Sequence, residues 1–407
     1  MAFEPFDPEL AALRRRRQTL ALSLVGLAFF LAWQALALRS FIRTETRPPS
    51  WDQSVHMEIA LDYRRALASG SGGSIFSFAP KPGMPVFPPL YHLAIKGAYD
   101  SENPAAAALW VNWFYLAILS FSIFGIVYHF RADLAALGAT VAFVCCPAVQ
   151  HLYLTQLIDL SVVAFAAAAI YLYLLSEDFQ NWAASIGFGV LFALGMLHKW
   201  SFFTYMVPAY WGTIKALSRK KDRLPALAAW GIGLGFCAPW YIAHAADLFP
   251  RILLTASTFA VPRWKGGEIV SYFFESAEGL GPLFWILAWL GVLVPQYRRN
   301  VDRGWSIPIW VVSSYLFWSL MPARQLRLLR RPGRRPSHGL RDGPSRQPAR
   351  RDCALVAHQG EPSQRVGMLR VELEDHLAHR DRLDGEAGVG VAIDGAAIGV
   401  DRVLVLA

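Results

Sequence analysis

Hydrophobic positions in this chain gather into long, nearly unbroken runs, unlike the alternating or three-and-four spacing of a domain that turns one face to water. The runs cover about Gln18–Leu38, Ala105–Tyr128, Leu134–Val149, Leu157–Leu175, Trp182–Leu197, Ser201–Leu217, Leu224–Ala243, Gly279–Val294 and Trp305–Met321. Each reaches or approaches the roughly 20 residues a helix needs to cross a hydrocarbon core. They predict an all-α polytopic membrane protein with about nine transmembrane helices. Between the first two runs lies Arg39–Pro104, rich in Pro, Gly, Ser and charge. This long loop carries two amphipathic stretches, Asp52–Ala68 and Pro89–Tyr99, that read as helices lying on the membrane surface.

Charge placement gives the runs a direction. Arg14–Arg17 precede the first run and hold the N-terminus in the cytoplasm by the positive-inside rule. No small-residue cleavage site follows that run, so an uncleaved first helix is expected in place of a signal peptide. Counting crossings from there places Arg131, the Lys220, Lys221, Arg223 cluster and the Arg298, Arg299, Arg303 cluster all inside. The outward segments are then Arg39–Pro104, Gln150–Gln156, the His198-Lys199 corner and His244–Glu278, and the expected location is the inner (plasma) membrane.

Composition agrees. Hydrophobic residues make up 55% of the chain and charged ones 17%, with a mean hydropathy of +0.32, too apolar for a soluble surface of this size. The formal charge of +9 is spread in short clusters between apolar runs and forms no continuous basic stripe, so no nucleic-acid partner is expected. Cys145, Cys146, Cys237 and Cys353 lack metal-ligand spacing and carry no assigned chemistry.

After the last run the text changes character. No aromatic residue follows Trp318, where the chain's own 14% would place about 12. From Arg324 to the end there are 15 arginines and no lysine. Domain organisation is therefore read as a membrane domain over 1–323 and an Arg-rich, aromatic-free tail over 324–407. The tail is either a disordered or small soluble segment, or the product of a reading-frame shift in a GC-rich gene that replaced a native C-terminal part.

Ionisable groups near the ends of apolar spans are costly to keep there and are functional candidates by default. Asp52 opens an amphipathic stretch just after the first span, where it serves either as a base or as a helix N-cap. Tyr91 and His92 lie in the outward segment Pro88-Pro89-Leu90-Tyr91-His92. Asp159 opens a later span, as a substrate contact or a cap, and His198-Lys199 splits two apolar runs, with Lys199 either functional or snorkelling to the interface. Arg263 and Lys265 flank Trp264 in another outward segment, to grip a lipid phosphate or to anchor the chain at headgroup depth. No cofactor is required by these residues. A divalent metal is an option in which His56, His92 and His151 join Asp52, against the plainer reading of single polar interface histidines.

The early outward Asp52, the Pro-Pro-Leu-Tyr segment, Gln156-Leu157-Ile158-Asp159-Leu160 and the turn Gly195-Met196-Leu197-His198-Lys199-Trp200 resemble, in order and spacing, the GT-C membrane glycosyltransferases. They look in particular like the branch of protein mannosyltransferases and lipid A aminoarabinose transferases, which use dolichyl- or polyprenyl-phosphate sugars. The likeness covers about residues 10 to 320. It implies an inverting glycosyltransferase active at the outer face, taking a sugar from a polyprenyl-phosphate donor to a lipid, glycan or protein acceptor. Asp52 matches the family's base, and Tyr91, Asp159, His198 and Lys199 lie in the matching segments as expected substrate contacts; on charge alone, Arg263 and Lys265 join them as expected phosphate contacts. Where family members often carry Asp-Glu this chain has Asp52-Gln53, so no role needing a second adjacent carboxylate transfers. The absence of a Gly-x-Gly-x-x-Gly fits a donor that is not a nucleotide sugar. The rival classes are a polytopic transporter or flippase and an inactive truncated membrane protein.

Overall fold

The computed structural model describes residues 8–45, 47–70, 78, 86–130, 134–258, 274, 276–293 and 305–320. Among them there is helix and no strand. We number the helices α1 Pro8–Thr44, α2 Trp51–Ala68, α3 Leu90–Ile95, α4 Pro104–Phe130, α5 Leu134–Val144, α6 Pro147–Tyr153 and α7 Asp159–Ser176. There follow α8 Trp182–Met196, α9 Val207–Ser218, α10 Arg223–Ala243, α11 Ala245–Thr258, α12 Pro282–Leu293 and α13 Ser306–Leu320. The tail from Arg324 onward lies outside the described residues.

Four helical stretches are long and apolar enough to cross a bilayer alone: Ala12–Thr44, Pro104–Phe130, Asp159–Ser176 and Lys220–Ala243. The run expected as one helix over Leu134–Val149 is instead α5 and α6, bent by 67°, and counts as a fifth span only if both halves are taken together. The break falls at Cys145-Cys146, immediately before Pro147, whose ring disfavours helix in the residue preceding it. Ser201–Leu217 is likewise divided, into a 3-10 segment Trp200–Met206 and α9, with Pro208 at the junction. The apolar helices Trp182–Met196, Pro282–Val292 and Ser306–Phe317 are shorter than a full span. Leu22, Val25, Phe29, Trp33 and Leu36 on α1, and Leu234, Phe236 and Ile242 on α10, are exposed, an apolar surface suited to lipid.

At the centre is α7, with 83% of its spanning window buried. It packs between α4 and α8, and α8 packs in turn on α10. Small residues allow this: α7 carries Ala166, Ala167, Ala168 and Ala169 in succession, all buried. On α8 a Cβ at Gly189 would run into the Ala229 carbonyl of α10, so only glycine permits that approach.

The two amphipathic helices of the first loop form close to where the hydrophobic pattern predicts them, and they pack on each other and against α4. On α2 the buried positions His56, Ile59, Ala60 and Tyr63 recur at helical spacing. They face α3, where Tyr91, His92 and Ile95 are buried. Tyr99 ties the next turn to α2 by donating its hydroxyl to the Met57 carbonyl at 2.6 Å, while Arg64 donates to the Tyr99 carbonyl at 2.6 Å.

Candidate functional site

Three parts of the chain meet at one buried polar cluster. The first is the inner face of α2 and α3. The second is the start of α7, and the third is the corner between α8 and the 3-10 segment that follows it.

The start of α7 is held from α4. Asn112, fully buried, directs its amide Nδ2 at the carbonyls of Leu152, Tyr153 and Thr155 at 3.4, 3.1 and 2.7 Å. Gln156 donates to the Ala105 carbonyl at 2.8 Å. The chain between α6 and α7 is thereby pinned, and Asp159 is delivered as the first residue of α7. The N-cap position is Ile158, so Asp159 is not a cap.

The corner is made by α8 ending at Met196. His198 N and Lys199 N both return to the Gly195 carbonyl, at 3.0 and 3.1 Å, and the backbone then extends at Lys199 with φ −149. Tyr241 of α10 donates to the Met196 carbonyl at 2.6 Å, fixing the corner from behind. From the first loop, Leu90 N donates to the Leu197 carbonyl at 3.0 Å, seating the Pro-Pro-Leu-Tyr-His segment directly on the corner.

Within this frame the Lys199 ammonium donates to Asp159 Oδ1 at 2.9 Å, with side-chain exposures of 4% and 1%. Lys199 is therefore not snorkelling to an interface; it is buried and paired. Burying two charges costs several kcal/mol per ion before their attraction offsets it, so such a pair is a poor device for stability alone.

Beside the pair stand three histidines. His56 Nδ1 and His92 Nε2 are 3.1 Å apart, and His92 Nδ1 lies 3.3 Å from the Pro88 carbonyl. His198 Nδ1 lies 2.7 Å from the Leu194 carbonyl and its Nε2 lies 3.0 Å from the Tyr115 hydroxyl. Burial pushes the His56 imidazole down to about 3, helped by the charge of Lys199. His92 is held well below the usual histidine range, first by burial and then by His56. His198, again through burial, is lowered to about 4. All three are neutral near pH 7. Tyr91, 1% exposed, meets both His56 and His92 edge-on and stacks on Tyr115, joining the histidine pair to His198 through aromatic contacts.

Asp52 is half-buried in the first turn of α2, whose N-cap position is Ser50. It stands four residues before His56 and therefore on the same helix face, one turn away. The structure thus brings together Tyr91, Asp159, His198 and Lys199, with His56 and His92, and puts Asp52 on the adjoining turn. Arg263 and Lys265 lie outside the described residues. Among the described residues no three His, Cys, Asp or Glu side chains are placed to hold a metal ion, and His151 is exposed on α6.

Four contributors were missed by pattern reading: Asn112, Tyr115, Tyr63, whose ring stacks on His92, and His244. His244 closes the far side of the first loop, with its Nε2 3.0 Å from the Phe78 carbonyl. For Asn112 a signal existed, a lone carboxamide inside an apolar span. Tyr115 carried none, since aromatic residues are common throughout these runs.

No protein-family model matches this chain, and neither a curated protein nor a solved structure is significantly similar to it.

Proposed function

We propose that this chain is an inverting membrane glycosyltransferase that moves a sugar from a polyprenyl-phosphate carrier to a lipid, glycan or protein acceptor at the outer face of the inner membrane. The carrying observation is the buried Lys199–Asp159 pair, set against the His56, His92 and Tyr91 face of the first loop. Segments some 40 residues or more apart in sequence, the same ones that resemble the GT-C enzymes, converge on it.

The chemistry needs a cation for the phosphate that departs and a base for the attacking group. Lys199 supplies the first, with Asp159 holding its ammonium in place until an anionic donor arrives. Asp52 supplies the second. As the acceptor's O–H bond breaks, its electron pair forms the bond to the anomeric carbon. The bond from that carbon to the phosphate oxygen then breaks towards the phosphate. A phosphate leaving group needs little protonation, so one carboxylate base suffices. In this reading the apolar helices are arranged as about nine crossings with a cytoplasmic N-terminus, the short ones supported by their neighbours. The tail after residue 323 is read as frame-shifted text, and reading the gene's other two frames beyond codon 320 should reveal further apolar spans.

The test is transfer of radiolabelled sugar from a polyprenyl phosphate in membranes holding the full chain. Transfer that Asp52→Asn abolishes supports the assignment. Equal transfer by both removes Asp52 from the mechanism. Movement of the intact lipid between leaflets without transfer would favour a flippase.

A further inference from the structure

The hydrogen bonds of the histidine pair have a direction, and it ends on one nitrogen. A carbonyl oxygen only accepts, so the contact between Pro88 O and His92 Nδ1 requires the proton on that nitrogen. A neutral His92 then presents a lone pair at Nε2. Its neighbour at 3.1 Å, His56 Nδ1, must therefore be the donor. With its one proton on Nδ1, neutral His56 has an unprotonated Nε2. This is the reverse of the tautomer that histidine favours in water, imposed by a backbone carbonyl two residues removed through the chain of bonds.

We infer that His56 Nε2 is the proton store of this site: it receives the proton that Asp52 draws from the acceptor, and His92 with the Pro88 carbonyl keeps it ready to do so. This rests on the transferase reading above. The groups around His56 fit the role. Asp52 lies one turn away on its own helix, Tyr91 and His92 face it from α3, and Lys199 with Asp159 stands within electrostatic reach. The proton balance is complete. The acceptor's proton passes to the Asp52 carboxylate and on to Nε2, leaving Asp52 ionised and His56 an imidazolium that still donates from Nδ1 to His92. An imidazolium beside Lys199 is unfavourable while the site is empty and is offset while the newly formed polyprenyl phosphate sits at Lys199. When that phosphate leaves, the proton is expelled to water and the site resets. His92 is a positioning residue, acting through His56.

Two measurements test this on the full chain in lipid bilayers. In the first, ¹⁵N-histidine spectra of wild type and His56→Asn identify the His56 signals by difference, and they should show a protonated Nδ1 and an unprotonated Nε2. A proton on Nε2 overturns the inference. In the second, sugar transfer is followed against pH and donor concentration. His56→Asn should lower kcat by about 100-fold, the scale of acid-base assistance, with the donor KM within about twofold. His92→Gln, whose amide oxygen can still accept from His56, should keep most of the rate, whereas His92→Leu should lose it. Equal losses in both His92 variants would mean a purely structural role. Wild-type rates in His56→Asn would remove the relay and leave the transferase reading standing. No transfer by wild type removes both, even if the tautomer is as described.

Discussion

Removing one half of the Asp159–Lys199 pair leaves the other charge in a pocket where its partner was 1–4% exposed. An unpaired buried ion of this kind costs about 3–5 kcal/mol, or about two to three and a half powers of ten in the folding equilibrium. Lys199→Met and Asp159→Leu should each show that loss. The double variant replaces the pair by apolar side chains and should lie near wild type or be more stable, because the desolvation cost disappears with the charges. The coupling energy, the double change minus the two single changes, should then be opposite in sign to the single losses and about as large as the two of them added together. The assay is equilibrium unfolding of the full chain in mixed micelles against a denaturing detergent, followed by helical circular dichroism. The double variant should also fail to transfer sugar while folding well, which separates the reason the charges are there from stability. Single losses below about 1 kcal/mol that simply add in the double would mean the pair is solvated, and the reasoning about its burial would be refuted.

Three further outcomes are expected. The imidazole of His56 takes up a proton near 6.5 when unfolded and only near about 3 when folded, so stability from this group is complete above pH 6.5 and falls as pH drops through that window. Going from pH 7 to pH 5 should cost about 2 kcal/mol through His56 alone, and His56→Phe should flatten the pH dependence of the unfolding midpoint. Asn112→Leu strips the amide donor from the carbonyls of Leu152, Tyr153 and Thr155 and should cost about 1–3 kcal/mol, with a larger proportional loss of transfer because Asp159 follows that segment. Gly189→Leu drives a side chain into the Ala229 backbone and should destabilise the chain by at least about 1–3 kcal/mol, whereas Gly235→Ala, which meets open space, should change little. The same unfolding assay reads both.

The helical class and the position of the first-loop helices were legible because apolar run length and amphipathic spacing are local properties. Asp52–Ala68 was expected and Trp51–Ala68 is found. Span count was less so. Runs such as Trp182–Leu197 are apolar throughout but too short to decide alone whether they cross, and Pro147 and Pro208 broke two others whose hydropathy was continuous. A place in the buried polar cluster was legible for Asp159, Lys199 and His198 as costly groups at span ends, and for Tyr91 only through the likeness of its Pro-Pro-Leu-Tyr segment. Their pairing was not, since nothing periodic links Asp159 to Lys199, 40 positions on, or His56 to His92, 36 positions on. Those contacts exist because α7 packs between α4 and α8 and because Leu90 bonds to Leu197, both products of the tertiary fold.

The central claim, that the cluster around Lys199 transfers a lipid-linked sugar, is met most directly by one comparison. Purified full chain in bilayers is given radiolabelled polyprenyl-phosphate sugar and a mixed acceptor pool, as wild type, Asp52→Asn and Lys199→Gln. Label should move from the lipid carrier into an acceptor with wild type and not with Asp52→Asn, and donor binding should weaken with Lys199→Gln. Label that stays on the carrier with wild type, or moves equally with all three proteins, contradicts the claim.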